Sequence, residues 1–327
     1  MSTLKNIALF LIIFFVAGEL LVRFDSSTMF FRGERFVDVD QVSNASEELA
    51  QLDAGTYIPD PSQYRVMVLG DSFLHGPGIQ KDQRFTKMLN RMLLEQGVPG
   101  YEDVSVLDLT LPGSNTQNNT TTFNRYAKPF QPHAVIWAYF LNDVYRNQKF
   151  SDQPTDAQPP PESSRDKFNS RVRGVMNTMY RNSRLIRYVL PNINKELKSR
   201  GIVIPGSQFY HERSKSHDPD HASWLRSQEI MNQVWRQCSE DDIQVLVINC
   251  PHLDLLKHYS LFDEVDQHIE DYFLTQPVSF LRGVDCFRDI KNESFSLSRY
   301  DSHPNEKAHR MLAEFTAQRL LADLLAR

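Results

Sequence analysis

The sequence predicts an α/β domain in which a parallel sheet is covered by helices on both faces. Several strand-length runs are apolar throughout rather than alternating, as strands buried on both faces must be. Segments with apolar residues at helical spacing separate these runs, which is the rhythm of a sheet crossed over by helices. At 327 residues the chain has room for one large domain or two small ones, at roughly 100–200 residues each. Hydrophobic residues make up 41% and charged residues 24%, which excludes collagen-like, coiled-coil and wholly disordered chains.

The first element is residues 7–22 (IALFLIIFFVAGELLV), flanked by Lys5 and Arg23. This run of 16 residues is short for the ~30 Å hydrocarbon core unless its flanks contribute. Glu19 interrupts it four residues before Arg23, a spacing that permits an ion pair near the interface. A single membrane anchor over residues 1–24 is the leading expectation. The alternatives are a signal peptide cleaved near Val16-Ala17-Gly18, a buried helix and a free amphipathic segment. Lys5 and the amino group on one side, against Arg23, Arg32 and Arg35 on the other, do not set the orientation. Residues 25–63 are polar and weakly patterned, as expected of a stalk.

The folded domain is expected over 64–327. Strands are predicted at 65–69 (RVMVL), 104–109 (VSVLDL), 134–140 (AVIWAYF) and 243–249 (IQVLVIN), and 284–287 (VDCF) is a candidate fifth. Helical spacing marks 84–96, 222–237 and 306–325. An insertion at about 145–222 breaks the rhythm. It starts with the Pro-rich stretch 153–164 and continues into an arginine-rich helical pattern at 167–187. A connection this long inside an α/β domain suggests a partly helical lid.

Net charge and cysteines narrow the chemistry. With 36 basic and 41 acidic residues the net charge is -5, so no nucleic-acid partner is expected. Cys238, Cys250 and Cys286 cannot form a disulfide framework, and none lies in a CxxC pair. No cofactor is expected. The residues at the predicted strand ends say more, because ligands of open α/β sheets bind at the carboxyl ends of strands. The first strand ends in Gly70-Asp71-Ser72, placing a hydroxyl near the start of the next helix, where backbone N–H groups favour an anion. The second is followed by Leu111-Pro112-Gly113, where a glycine lets a backbone N–H approach a ligand. The third ends in Phe140-Leu141-Asn142-Asp143, with Asn142 a neutral donor suited to an oxyanion. Before the last helix, Tyr300-Asp301-Ser302-His303 supplies an imidazole beside a carboxylate, as a general base requires.

Each block alone is an ordinary turn or cap. Together, in this order, they resemble the SGNH (GDSL-type) hydrolase family, over roughly residues 65–327. Gly70-Asp71-Ser72 matches the nucleophile block, Gly113 the glycine block, Asn142 the asparagine block and His303 the histidine block. The resemblance implies a flavodoxin-like three-layer α/β/α sandwich. Ser72 would be the nucleophile, His303 the base and Asp301 its orienting carboxylate. The N–H groups of Ser72 and Gly113 and the Asn142 side chain would form the oxyanion hole. The layout is especially similar to membrane-anchored bacterial members, which implies a periplasmic or extracellular catalytic domain.

Two positions depart from the family pattern. Phe140 stands where the third block usually has glycine, and Asp301 lies two residues before His303 rather than three. His75 and Phe140 are expected to line the substrate crevice. His217 and His221 are read as a solvated loop rather than a metal site, so no metal is expected. His252 and His258 are read as surface or satisfied core histidines, and His309 as a packed residue of the last helix. Asp71 and Asp143 are read as local hydrogen-bonding supports. The function expected is a serine esterase or deacylase acting on an acyl ester, including one carried by a cell-envelope polysaccharide or lipid. The alternatives are an O-acyltransferase with the same machinery and an inactive glycan-binding module on the same fold.

Overall fold

The computed structural model describes residues 46–145 and 213–326, apart from 254–255, 257–258, 260–261, 289, 291–292 and 299–300. The described residues belong to one compact unit, Val37–Asp152 with Gly206–Arg327. The expected anchor at 1–24 and most of the insertion at 145–222 lie outside the described residues. Among the described residues no helix is long and apolar enough to cross a membrane.

After the short helix α1 (Glu47–Ala54), the chain enters the sheet at β1 (Gln63–Leu69). Two helices follow, α2 (Ser72–His75) and α3 (Phe85–Gln96), before β2 (Asp103–Asp108). Helix α4 (Thr116–Phe130) leads to β3 (Ala134–Tyr139), which ends in the single turn α5 (Asn142–Tyr145). Then come α6 (Ala222–Glu240), β4 (Gln244–Asn249), α7 (Asp263–Leu274) and β5 (Ser279–Arg282). A two-stranded ribbon, β6 (Ser296–Ser298) and β7 (Asp301–Pro304), precedes the closing helix α8 (Glu306–Leu325).

The five long strands are parallel and lie in the order β2-β1-β3-β4-β5. This is the flavodoxin-like order, whose switch point falls between β1 and β3. The reason for the apolar runs is visible in the packing. Met67 and Leu69 of β1 join Val135, Trp137, Val245 and Val247 on one face, under α4, α6 and α7. Val66 and Val68 join Ile136, Ala138, Leu246 and Ile248 on the other, under α3 and α8. Each such side chain contributes about 1.5–3 kcal/mol on leaving water, and in these strands both faces collect it.

Three elements differ from expectation. The fifth strand is Ser279–Arg282, and 283–286 instead forms a 3-10 helix. Phe280 and Leu281 feed opposite core faces, as a central residue pair of a strand does, and the chain then bends at Gly283. A Cβ at Gly283 would lie 2.6 Å from the Asn249 carbonyl oxygen, so the bend requires glycine there. Helix α4 was not anticipated. In α4 the buried face is carried by Thr116, Asn119 and Thr120 before Phe123, Ala127 and Phe130, which hides it from an apolar count. Finally, part of the stretch read as a stalk is helix α1. Ser46 caps it, and Leu52 packs into the core above α4.

Between β1 and β3 the backbones come close just where they diverge. A Cβ at Gly70 would sit 2.7 Å from Ala138 Cβ, well inside contact distance. Gly70→Ala should therefore force β1 and β3 apart and cost about 1–3 kcal/mol. Urea unfolding of the full chain checks this, and an unchanged midpoint would show that the two strands can separate freely.

Candidate active site

The switch point carries the site. Chain leaving β1 turns through Gly70 and Asp71 into α2, whose first residue is Ser72. Asp71 caps that helix, its Oδ1 accepting the Phe73 N–H at 2.8 Å. Its other oxygen, Oδ2, accepts from Asn142 Nδ2 at 3.3 Å. A carboxylate can only accept, so this contact turns the amide nitrogen of Asn142 toward Asp71 and leaves that nitrogen a second N–H to offer. Asp71 is thus the local support expected of it, and Asp143 is another, its carboxylate accepting the Phe140 N–H at 3.3 Å.

His303 reaches the same point from the far end of the chain. It lies on β7, one residue before Pro304, and is held between the β6 pairing and the cap of α8. Asn305 caps that helix through Ala308 N, and its own N–H donates to the Phe295 carbonyl at 2.8 Å. The outcome is a separation of 3.0 Å between His303 Nε2 and Ser72 Oγ, across 231 residues of chain. The side chain of Asp301 lies outside the described residues.

Gly113 occupies the third position of a tight turn over 111–114. The Leu111 carbonyl accepts from Ser114 N at 2.9 Å, and Gly113 has φ 81°. Pro112 before it and a left-handed third residue are the requirements of a type II turn. The turn is pinned to the end of β1, because Leu111 N donates to the Gly70 carbonyl at 3.0 Å.

A cleft of about 230 Å³ opens beside these groups. Ser72, Asn142, Ser302 and His303 line it, together with Asp71 and Phe73. Phe140 also lines it, with its ring 5.5 Å from Phe73 and 4.5 Å from His252. His75 does not. It is buried below the cleft, with Nδ1 3.1 Å from the Thr110 carbonyl, where it supports the loop after β2. The cleft's remaining walls come from residues that the sequence did not single out as site residues: Pro251, His252 and Leu253 beyond β4, and Arg213. For Pro251, His252 and Leu253 the position after the carboxyl end of β4 was the available signal.

His217 is a correction. It is fully buried, not part of a solvated loop, because Nε2 lies 2.8 Å from Tyr139 Oη and Nδ1 lies 2.8 Å from the Arg213 carbonyl. His221 caps α6 instead, accepting from Ser223 N. His258 lies outside the described residues.

Comparisons with known proteins add the following. No family model matches the sequence, and no curated protein matches it. Among solved structures, TesA is similar with 11% identity and a TM-score of 0.46, over 79% of this chain and 99% of that one. A catalytic mutant of Axe2, an acetylxylan esterase from Geobacillus stearothermophilus, is similar with 11% identity and a TM-score of 0.46, over 80% of this chain and 95% of that one. A member of the lipolytic G-D-S-L family from Veillonella parvula is similar with 10% identity and a TM-score of 0.41, over 79% and 98%.

Burial holds several histidines neutral around the site. It lowers His309 to about 3, helped by the charges of Arg84, His303 and His75. It lowers His252 to about 3, with Arg213 adding to the effect, and His217 to about 4. In the unfolded chain these rings take a proton near pH 6.5, so the unfolded state binds more protons below that value. Stability should be full above pH 6.5 and fall steadily as pH drops toward 4. Thermal unfolding followed from pH 7.5 to 4.5 checks this, and His309→Asn, which keeps an acceptor for Phe85 N, should flatten the slope.

Proposed function

We propose that this chain is a serine esterase of the SGNH (GDSL-type) hydrolase family, acting on a short acyl ester. The observation that carries the reading is the 3.0 Å approach of His303 Nε2 to Ser72 Oγ at the switch point of the sheet. Serine is a poor nucleophile until a base takes its proton, and a neutral imidazole within hydrogen-bond reach is such a base. Asn142, oriented by Asp71 beside the same cleft, is suited to an anion developing on the carbonyl oxygen. The backbone N–H groups of Ser72 and Gly113 are assigned as the other donors, and Asp301 as the orienting carboxylate, on sequence grounds.

The chemistry then runs in two halves. Ser72 Oγ attacks the acyl carbon as His303 removes its proton, and the tetrahedral oxyanion is held by the donors. Collapse breaks the ester C–O bond, and His303 returns the proton to the leaving alcohol. Water repeats the sequence on the acyl-enzyme, releasing the acid and restoring Ser72. The cleft volume of about 230 Å³ lies below the roughly 300–1,000 Å³ of pockets for drug-sized ligands, which favours a small acyl group. We place the enzyme at the cell envelope, held by residues 7–22, on the sequence reading alone.

Labelling of the full-length chain with a fluorophosphonate, followed by peptide mapping, tests the assignment. Ser72 should be labelled, and His303→Ala should abolish the labelling. Ser72→Ala should lower turnover of phenyl acetate by on the order of 10³–10⁶-fold. Undiminished hydrolysis in that variant would sink the reading, and absence of both labelling and turnover would favour a glycan-binding module. Asn142→Ala should lower kcat by roughly 10²–10³-fold with the fold intact. Transfer of the acyl group to an added sugar hydroxyl in preference to water would make the enzyme an acyltransferase.

A further inference from the structure

Strand β3 alternates its side chains between the two cores, and the alternation continues past its end. Ala138 faces the core under α3 and α8, Tyr139 the core under α4, α6 and α7, and Phe140 the first core again. Phe140 therefore stands on the same face of the sheet as Phe73, the residue after Ser72. Asp143 grips its backbone twice. The Asp143 carboxylate accepts the Phe140 N–H at 3.3 Å, and Asp143 N donates to the Phe140 carbonyl at 2.8 Å. Asn142, the amide donor of the cleft, lies inside that turn.

The ring is held as firmly as the backbone. It lies between the ring of Phe73, 5.5 Å away, and that of His252, 4.5 Å away. His252 is stacked in turn on Phe262 at 5.2 Å. These separations are those of favourable aromatic contacts. Turning Phe140 aside would break two of them at once, so its ring is a fixed wall rather than a gate. Phe73 is only 5% exposed, whereas Phe140 is half-buried and lines the cleft, so Phe140 is the ring that takes up space there.

The reaction assigns directions within the cleft. In the tetrahedral intermediate the reacting carbon carries Ser72 Oγ, the oxyanion, the leaving oxygen and the acyl chain. The oxyanion turns to Asn142, and the leaving oxygen to His303 Nε2, which must hand it a proton. The acyl chain is left with the apolar part of the wall, made by Phe73, Phe140, Pro251 and Leu253.

We infer that Phe140 is a specificity-determining residue that ends the acyl side of the cleft, so that the substrate is an acetyl ester and longer acyl chains are refused. The inference rests on the esterase reading and deepens it by naming the acyl group and the residue that sets its length.

The test varies one half of the ester at a time on the purified full-length chain. With 4-nitrophenol as the constant alcohol, wild type should favour the acetate over the hexanoate by roughly a hundred-fold or more in kcat/KM, because methylenes pressed into a filled site are penalised steeply. Phe140→Ala should move that ratio toward the hexanoate by roughly ten- to a hundred-fold, each newly buried methylene contributing about fourfold. Phe140→Leu, the gentler change should the alanine variant fail to fold, should move it partway. Ratios within one protein cancel any general loss of activity. With acetyl as the constant acyl group, the ratio of hexyl acetate to ethyl acetate should be the same in wild type and Phe140→Ala. Phe315→Ala, an equal truncation at a half-buried ring of α8 that does not line the cleft, should leave both ratios as they are. Hydrolysis of the hexanoate by wild type as readily as the acetate, an acyl ratio that Phe140→Ala leaves alone, or a shift in the alcohol series instead overturns the inference. If wild type turns over no ester, the esterase reading fails, and binding of hexanoate, read by saturation-transfer NMR, decides the inference separately. It stands if hexanoate binds Phe140→Ala about tenfold or more tighter than wild type, and falls if the two proteins bind it alike.

Discussion

Everything at the cleft depends on how tightly β1 and β3 are packed where their chains part. The strands are paired from Val66 to Leu69 against Ala134 to Trp137, and one residue further on Gly70 leaves no room for a side chain beside Ala138. Beyond that point, chain from β1 turns into α2 and chain from β3 turns into α5, so the two strand ends open like a fork. Ser72 sits on one prong and Asn142 on the other. The close approach at Gly70 is what makes the gap between them small enough for Asp71 to touch Asn142.

Asp71 is the joint of this fork. One carboxylate oxygen satisfies an otherwise orphaned N–H at the start of α2, and the other receives the Asn142 amide. Capping a helix and orienting a donor are here a single act, so the position of Ser72 and the direction of Asn142 cannot drift independently. The turn containing Gly113 is tied to the same strand end through the Gly70 carbonyl. Below it, His75, Thr110 and Asp108 form a continuous polar chain, with Thr110 Oγ1 donating to Asp108 at 2.6 Å. Buried polar groups that satisfy one another in this way stiffen the loop they support.

The sheet was legible because burial on both faces makes its central strands apolar along most of their length, and four of the five were readable within a residue or two. Helix α8 was equally legible, since its cap Asn305 and its length are both local features. What escaped notice has a common cause. Helix α4 buries threonine and asparagine, and β5 is only four residues long, so neither presents enough apolar signal of its own. At the site, Ser72, Gly113, Asn142 and His303 were readable because each lies at an element boundary that a short motif marks. Arg213 was not, because nothing in the neighbouring sequence says that a distant segment will fold back over a strand end. His217 misled for the same reason: its flanking Lys215, Asp218 and Asp220 are exposed, while the ring itself is drawn inward by Tyr139.

That contrast between marked and unmarked residues bears on how the site divides its labour. The groups assigned to bond breaking come from the ends of β1, β2 and β3 and from the ribbon before α8, all directly attached to the rigid sheet or to a capped helix. The walls that would choose the substrate come from Phe140, from the loop after β4 and from the segment before α6. These side chains can change without disturbing the Gly70–Ala138 contact, whereas a change at Asp71 would disturb both the helix cap and the amide donor at once. Substitution of Phe140 or His252 should therefore redirect this site, while substitution at Asp71 should disable it, and the difference follows from what each side chain holds in place.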